Sequence, residues 1–205
     1  NYATGKIGTR ISYLSTSFYD SQPGIPTSGK SLAECIGYLK TTAAKYGLTD
    51  LIYGVDEGRI LCGAPGSIAS DLVSRTVGYT YMAAYDARLY THLLNSGGSY
   101  LSSWDYLSES LFEGNPSISY HVARNIFEMA GMNRIQTIVN ADRFLRKTEV
   151  GALAGVDSQS GKMCIMVYNF GNSLNYASKA EVSLTIKAES EKEDYNLTIF
   201  KVDND

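Results

Sequence analysis

Apolar and polar positions along this chain follow two successive patterns. From Ile7 to about Gly131, short apolar runs alternate with longer stretches in which apolar residues recur every three or four positions. Ile11 to Phe18 (ISYLSTSF) reads as a strand, rich in β-branched and aromatic residues. Ser31 to Lys45 reads as a helix with Leu32, Cys35, Ile36 and Leu39 on one side. Ser31 is its expected N-cap, with Glu34 three residues on, and Gly47 its stop. Leu51 to Val55 (LIYGV) is a second, buried strand, and Ile68 to Asn95 a long helix halted by Gly97 and Gly98. Tyr100 to Trp104 is the third strand, and Ser117 to Met129 the third helix, ended by Gly131.

After Met132 the pattern becomes one of short strands: Arg134–Val139, Val150–Val156, Met163–Phe170, Ala180–Ala188 and Tyr195–Val202. Glu181, Ser183, Thr185 and Lys187 alternate with Val182, Leu184 and Ile186, as in a sheet with one wet face. Strand–helix repeats imply right-handed parallel crossovers, so the fold class expected for 1–131 is α/β, and for 132–205 an all-β sandwich. Three apolar parallel strands have unpaired edges and make a poor domain alone. A complete (β/α)8 TIM barrel takes roughly 250 residues. The expectation is therefore a partial barrel, its last three βα units, completed by a missing N-terminal barrel segment of the same or another chain.

Composition narrows the functional classes. The 205 residues are 44% hydrophobic and 19% charged, enough to bury a core, and the net charge is −3. No cationic field is available to neutralise a phosphate backbone, so nucleic acid is not an expected partner. The apolar runs are far short of a membrane span, and no membrane partner is expected either. Asn1 to Arg10 lack the apolar stretch of a signal peptide, and location is left open. Cys35, Cys62 and Cys164 cannot all pair within one chain, and only His92 and His121 accompany them. Neither a disulfide scaffold nor a Cys/His metal site is expected, nor any cofactor. Sixteen tyrosines against six phenylalanines offer flat faces with hydrogen-bonding tips, which suit polyhydroxylated ligands as well as interfaces.

The first chemical candidate is Asp56-Glu57, following the second strand in LIYGVDEGR. Barrel active sites are built at the C-terminal ends of the strands, and glycoside hydrolysis needs two carboxyl groups flanking the scissile bond. Successive strand residues face opposite ways, so Asp56 is expected to point away from Glu57 and to orient a loop or pair with Arg59.

Several stretches, in order, resemble clan A glycoside hydrolases. ISYLSTSFYD (11–20) resembles their sixth barrel strand, LIYGVDEGR their seventh, which ends in the nucleophilic Glu, and YLSSWDYLSE (100–109) their eighth, with its Trp. Gly114 to Met132 is similar to the closing helix, and MCIMVYN (163–169) to a strand of the C-terminal sandwich. Taken together, these stretches resemble glycoside hydrolase family 39, which includes β-xylosidases and α-L-iduronidases. The resemblance implies a carbohydrate substrate, Glu57 as catalytic nucleophile, Tyr19 hydrogen-bonding near it, and Trp104 as a stacking wall for a pyranose. Ser17 stands at a substrate-binding position where the family pattern often has His. The acid/base residue of the family lies in an Asn-Glu pair on the fourth strand, which this sequence does not contain, so the chain alone is expected to be inactive. A non-catalytic carbohydrate-binding remnant is the alternative.

A competing motif is GIPTSGKS (24–31), which matches the phosphate-binding pattern G-x-x-x-x-G-K-S between a strand and a helix. It would place Lys30 on phosphates and Ser31 on Mg²⁺. Asp20 to Pro23, however, separate the strand from Gly24, and only two more parallel strands follow before the chain turns all-β. A Gly/Pro/Ser loop entering a capped helix accounts for the same residues.

Overall fold

The structure, a computed structural model, describes residues 11–22, 25–60, 80–103, 111–112, 115–116, 118–140, 148–171, 181–187 and 196–202. Strand β1 (Tyr13–Gln22) runs four residues beyond its expected end. A two-residue strand β2 (Ile25–Pro26) pairs antiparallel with that end. Helix α1 (Leu32–Lys45) begins with a reciprocal capping box. The Ser31 hydroxyl accepts from the Glu34 N–H at 3.3 Å, and the Glu34 carboxylate accepts from the Ser31 N–H at 2.7 Å. Such a cap stabilises a helix by about 1 kcal/mol. The chain leaves α1 through Gly47, whose φ of +70° suits glycine.

Strand β3 (Ile52–Ile60) lies parallel to β1, and β4 (Tyr100–Ser103) parallel to β3, giving a sheet ordered β2-β1-β3-β4. Helix α2 (Thr80–Asn95) lies between β3 and β4 in the chain, and α3 (Ile118–Phe127) packs on α2. Strands β5 (Leu111–Phe112) and β6 (Asn115–Pro116) form a separate antiparallel pair. Phe18 and Val55 from the sheet, Ile36 from α1, Met82 and Leu93 from α2 and Val122 from α3 form one core, the helix-covered side of the parallel sheet. This is the expected α/β layer.

A second, antiparallel sheet follows, ordered β7 (Asn133–Ile135), β8 (Thr148–Val156), β9 (Met163–Gly171). One face, with Leu153, Met166, Tyr168 and Phe170, turns to α2: Tyr168 and Phe170 share the core of the first layer, and the Tyr85 and Phe170 rings lie 6.0 Å apart. The contact is pinned by Glu149, which takes Arg88 Nε on one oxygen at 2.6 Å. Its other oxygen takes His92 Nε2 at 2.7 Å and the Tyr168 hydroxyl at 2.8 Å. Burial acts to raise the pKa of Glu149, but the three donors and the Arg88 charge outweigh it and hold the pKa at about 2. An ionised carboxylate only accepts, so His92 carries its proton on Nε2.

Residues 181–187 and 196–202, expected as strands, join no ladder among the described residues; their alternating apolar side chains Val182, Leu184, Ile186, Leu197 and Ile199 are exposed. Alternation alone does not form a strand without a partner to satisfy its backbone. The long helix expected from Ile68 is described only from Thr80, and Trp104, the expected end of the third strand, lies outside the described residues.

A methyl group on Gly54 would meet the Tyr100 carbonyl oxygen and lie 2.7 Å from Tyr100 Cβ, so Gly54→Ala forces β4 off β3. The unfolding free energy of that variant should fall by about 1–3 kcal/mol in chemical denaturation. Glu149 has a folded pKa (about 2) below its ordinary value of 4.5, so its contribution is complete above 4.5 and is lost as pH falls towards 2. Glu149→Gln should be less stable than the parent at neutral pH, and the gap should close over that acid window in pH-dependent denaturation.

Candidate active site

Because β1, β3 and β4 are parallel, their C-terminal ends gather at one edge of the sheet. At that edge β3 carries one residue too many. Thr16 stands opposite Val55, but Ser17 stands opposite Glu57; on the other flank Val55 faces Leu101 and Gly58 faces Ser103. Asp56 is the unmatched residue against β1. Bulges are rare between parallel strands and re-aim the side chains that follow.

The consequence is the placement of Glu57. Val55 is fully buried beneath the helices. Strict alternation would put Glu57, two residues on, under the same helices. The extra residue reverses the parity, and Glu57 joins Ser17 and Tyr19 on the face opposite Phe18 and Val55. There the Tyr19 hydroxyl donates to Glu57 Oε1 at 2.6 Å, the length of a charge-assisted phenol–carboxylate bond. Glu57 is half-buried and Asp56 exposed. Gly58 is required beside the bulge, since a Cβ there would lie 2.8 Å from Val55 Cγ1 and against the Phe18 carbonyl.

Of the residues expected at a sugar site, the structure therefore brings Ser17, Tyr19 and Glu57 together. Ser17 is exposed, directly across the ladder from Glu57. Trp104 falls outside the described residues. The phosphate-loop pattern takes another form. Ile25 and Pro26 are zipped to β1, Thr27 N–H donates to the Tyr19 carbonyl at 2.7 Å, and the Ser31 hydroxyl lies 2.7 Å from a Glu34 carboxylate oxygen. The hydrogen bonds from Ser31 hold the Glu34 carboxyl below its usual range. The α1 N-terminus is thus occupied by its own anion.

Behind the candidate carboxylate lies a buried polar cluster that sequence reasoning missed. The sequence places Arg59 within reach of Asp56. Instead its Nε and Nη2 grip both oxygens of Asp86 on α2 at 3.1 and 3.0 Å, and Nη2 reaches Ser119 Oγ on α3 at 2.7 Å. Arg59 and Asp86 are 3% and 1% exposed, whereas Asp56 faces solvent, and a buried guanidinium needs a carboxylate inside its own layer. The Tyr85 hydroxyl donates to the Arg59 carbonyl at 2.9 Å. Burial, then the nearby charges of Asp20 and Asp86, push the Tyr85 hydroxyl well above its normal value, so it remains a donor. Burial raises the Asp86 carboxyl as well, against the pull of Arg59 and Ser119. The Arg59 backbone has φ +144°, a region that side chains other than glycine rarely occupy. The one signal in the sequence is an Asp in an apolar helical stretch, YMAAYDARLY.

Among the described residues there is no group of three or more His, Cys, Asp or Glu side chains arranged to hold a metal ion, and no helix long and apolar enough to cross a membrane. No protein-family model, curated protein or solved structure matches the chain.

Truncating the buried cluster should be costly. Asp86→Ala removes the carboxylate that the buried Arg59 guanidinium grips with two hydrogen bonds and should cost about 3–5 kcal/mol. Arg59→Met combined with Asp86→Leu removes both charges and should cost markedly less, as read by denaturant titration of the two variants side by side.

Proposed function

We propose that this chain is the C-terminal portion of a retaining glycoside hydrolase of the family 39 type, with Glu57 as its nucleophile. The observation that carries this reading is the Tyr19–Glu57 hydrogen bond at the C-terminal edge of the parallel strands, on the face away from the helices. In this mechanism the ionised Glu57 attacks the anomeric carbon while a second carboxylic acid protonates the leaving oxygen. Water then releases the sugar from the covalent ester, with the second group acting as base. The second carboxyl must stand roughly 5–5.5 Å from Glu57. It comes from the preceding barrel strands, on a segment that this sequence does not contain. Tyr19 keeps one carboxylate oxygen oriented; among the described residues, Oε2 accepts no hydrogen bond and is the oxygen available for attack. Trp104 would supply the aromatic wall against the C–H face of the ring.

The larger architecture follows the same proposal. β1, β3 and β4 lie side by side in chain order with α1 and α2 between them, as in an arc of a (β/α)8 barrel; among the described residues β4 has no further neighbour and β1 has only the two-residue β2 at its C-terminal end. The antiparallel sheet would be one layer of a sandwich. Its face away from α2 carries Val150, Ala152, Val156, Met163, Ile165 and Val167, an apolar surface that calls for a second layer. Residues 181–187 and 196–202 have the right period to provide it. A sugar-binding remnant without catalysis is the second reading, favoured by Ser17 standing exposed beside Glu57 where a His is the family pattern.

A mechanism-based 2-fluoroglycosyl fluoride tests both, because its leaving group needs no protonation. Applied to the natural polypeptide that carries this chain, it should esterify Glu57, as located by peptide mass spectrometry, and Glu57→Gln should abolish the label. Tyr19→Phe should slow labelling roughly ten- to a hundredfold, the equivalent of one hydrogen bond to a charged group of about 1.5–3 kcal/mol. Saturable sugar binding with no ester on Glu57 would leave the remnant; the absence of both would end the carbohydrate proposal.

A further inference from the structure

Glu57 is followed by Gly58, and glycine is the least restrained backbone in any chain. A nucleophile whose carboxylate must hold one direction is poorly served by a soft link on its C-terminal side. Two residues on, the link ends at Arg59, which is fastened to Asp86, to Ser119 and, through its own carbonyl, to Tyr85. These partners belong to two helices, so the end of β3 is fixed to the helical layer and not only to its neighbours in the sheet. Arg59 stands in register with Tyr19, the residue that holds Glu57. Parity would send the Arg59 side chain to the same face as Tyr19, yet it is bound on the helix side, and the positive φ falls at that residue. Strain of this kind persists only where the surroundings over-determine it.

We propose that Arg59 is a positioning residue: clamped to Asp86, Ser119 and Tyr85, it fixes the backbone beyond the Asp56 bulge and so aims the Glu57 carboxylate at the Tyr19 hydroxyl. The proposal rests on the reading of Glu57 as the nucleophile for its purpose, but not for its geometry. A buried ion pair contributes little net stability compared with apolar residues of similar volume, and holding a specific arrangement is a use that such pairs can have. The bidentate grip explains the residue type. Lysine offers a point charge and cannot hold both Asp86 oxygens and Ser119 in one plane.

The test uses the natural polypeptide that carries this chain, with Glu57 and Tyr19 carbon-13 labelled, and reads the Glu57 carboxyl and Tyr19 ring-carbon resonances at neutral pH. Tyr19→Phe defines the position of the Glu57 signal without the hydrogen bond. Arg59→Met with Asp86→Leu, which keeps the layer packed but removes the clamp, should move the Glu57 signal at least half of that way while the chain stays folded by circular dichroism. Tyr85→Phe, which deletes only the hydrogen bond to the Arg59 carbonyl, should move it in the same direction by less. Leu153→Ala, in the antiparallel sheet, should leave both resonances in place although it lowers stability. Unmoved resonances in a folded double variant would overturn the proposal. Should the double variant fail to fold, Tyr85→Phe decides by the same criterion. Because no sugar is involved, movement of the Glu57 signal without any glycosylation of Glu57 would keep the clamp and refute the hydrolase, while labelling of Glu57 with unmoved resonances would do the reverse.

Discussion

One unmatched residue, Asp56, governs what the parallel sheet presents to solvent. In a regular ladder the side chains two apart share a face, and Glu57 would follow Val55 into the helix-covered core. An ionised carboxylate there would need a partner or would give up its charge. The bulge turns Glu57 to the open face, where Tyr19 meets it, and brings Gly58 to the inside, where no side chain fits. The chemistry that can be attributed to this edge depends on that change of parity.

The same few residues join three layers. β3 places Glu57 on one face of the sheet and Arg59 in the layer beneath. α2 carries Asp86 and Tyr85 towards the sheet, and on another side Arg88 and His92 towards Glu149 of the antiparallel sheet. One helix thus links the candidate site to the following module through charged contacts in which Asp86 and Glu149 each take several hydrogen bonds. The Arg59–Asp86 cluster is the buried one of the two, and a buried network loses more when one of its members is truncated than a half-exposed one does.

Local features are legible in the residues themselves. The Ser31/Glu34 capping box, the glycine stop at Gly47 and the short apolar runs of β8 and β9 each depend on residues within a few positions of one another. The strand that the apolar run predicts over Leu51–Val55 is right in type and too short, because Asp56, Glu57 and Arg59 break the run that marks a buried strand. Arg59 continues the strand by virtue of contacts 27 to 60 positions away. Segments 181–187 and 196–202 show the opposite case: a strand-like period with no ladder among the described residues. The proximity of Tyr19 to Glu57 does not follow from spacing, because nothing in the stretch between them, 38 positions apart, states that their strands are neighbours.

The sequence by itself determined the order of the main strands and helices of the first part, its α/β character, and the change to β-strands in the second part. These follow from hydrophobic period, caps and turn residues, whose physics acts over one or two turns of chain. Only the tertiary structure decided which face of the sheet Glu57 occupies and which acid Arg59 holds. Register is set by the fit of a whole strand against its neighbours, and a buried charge is paired by what else is buried with it. Both are properties of side chains brought together from distant positions.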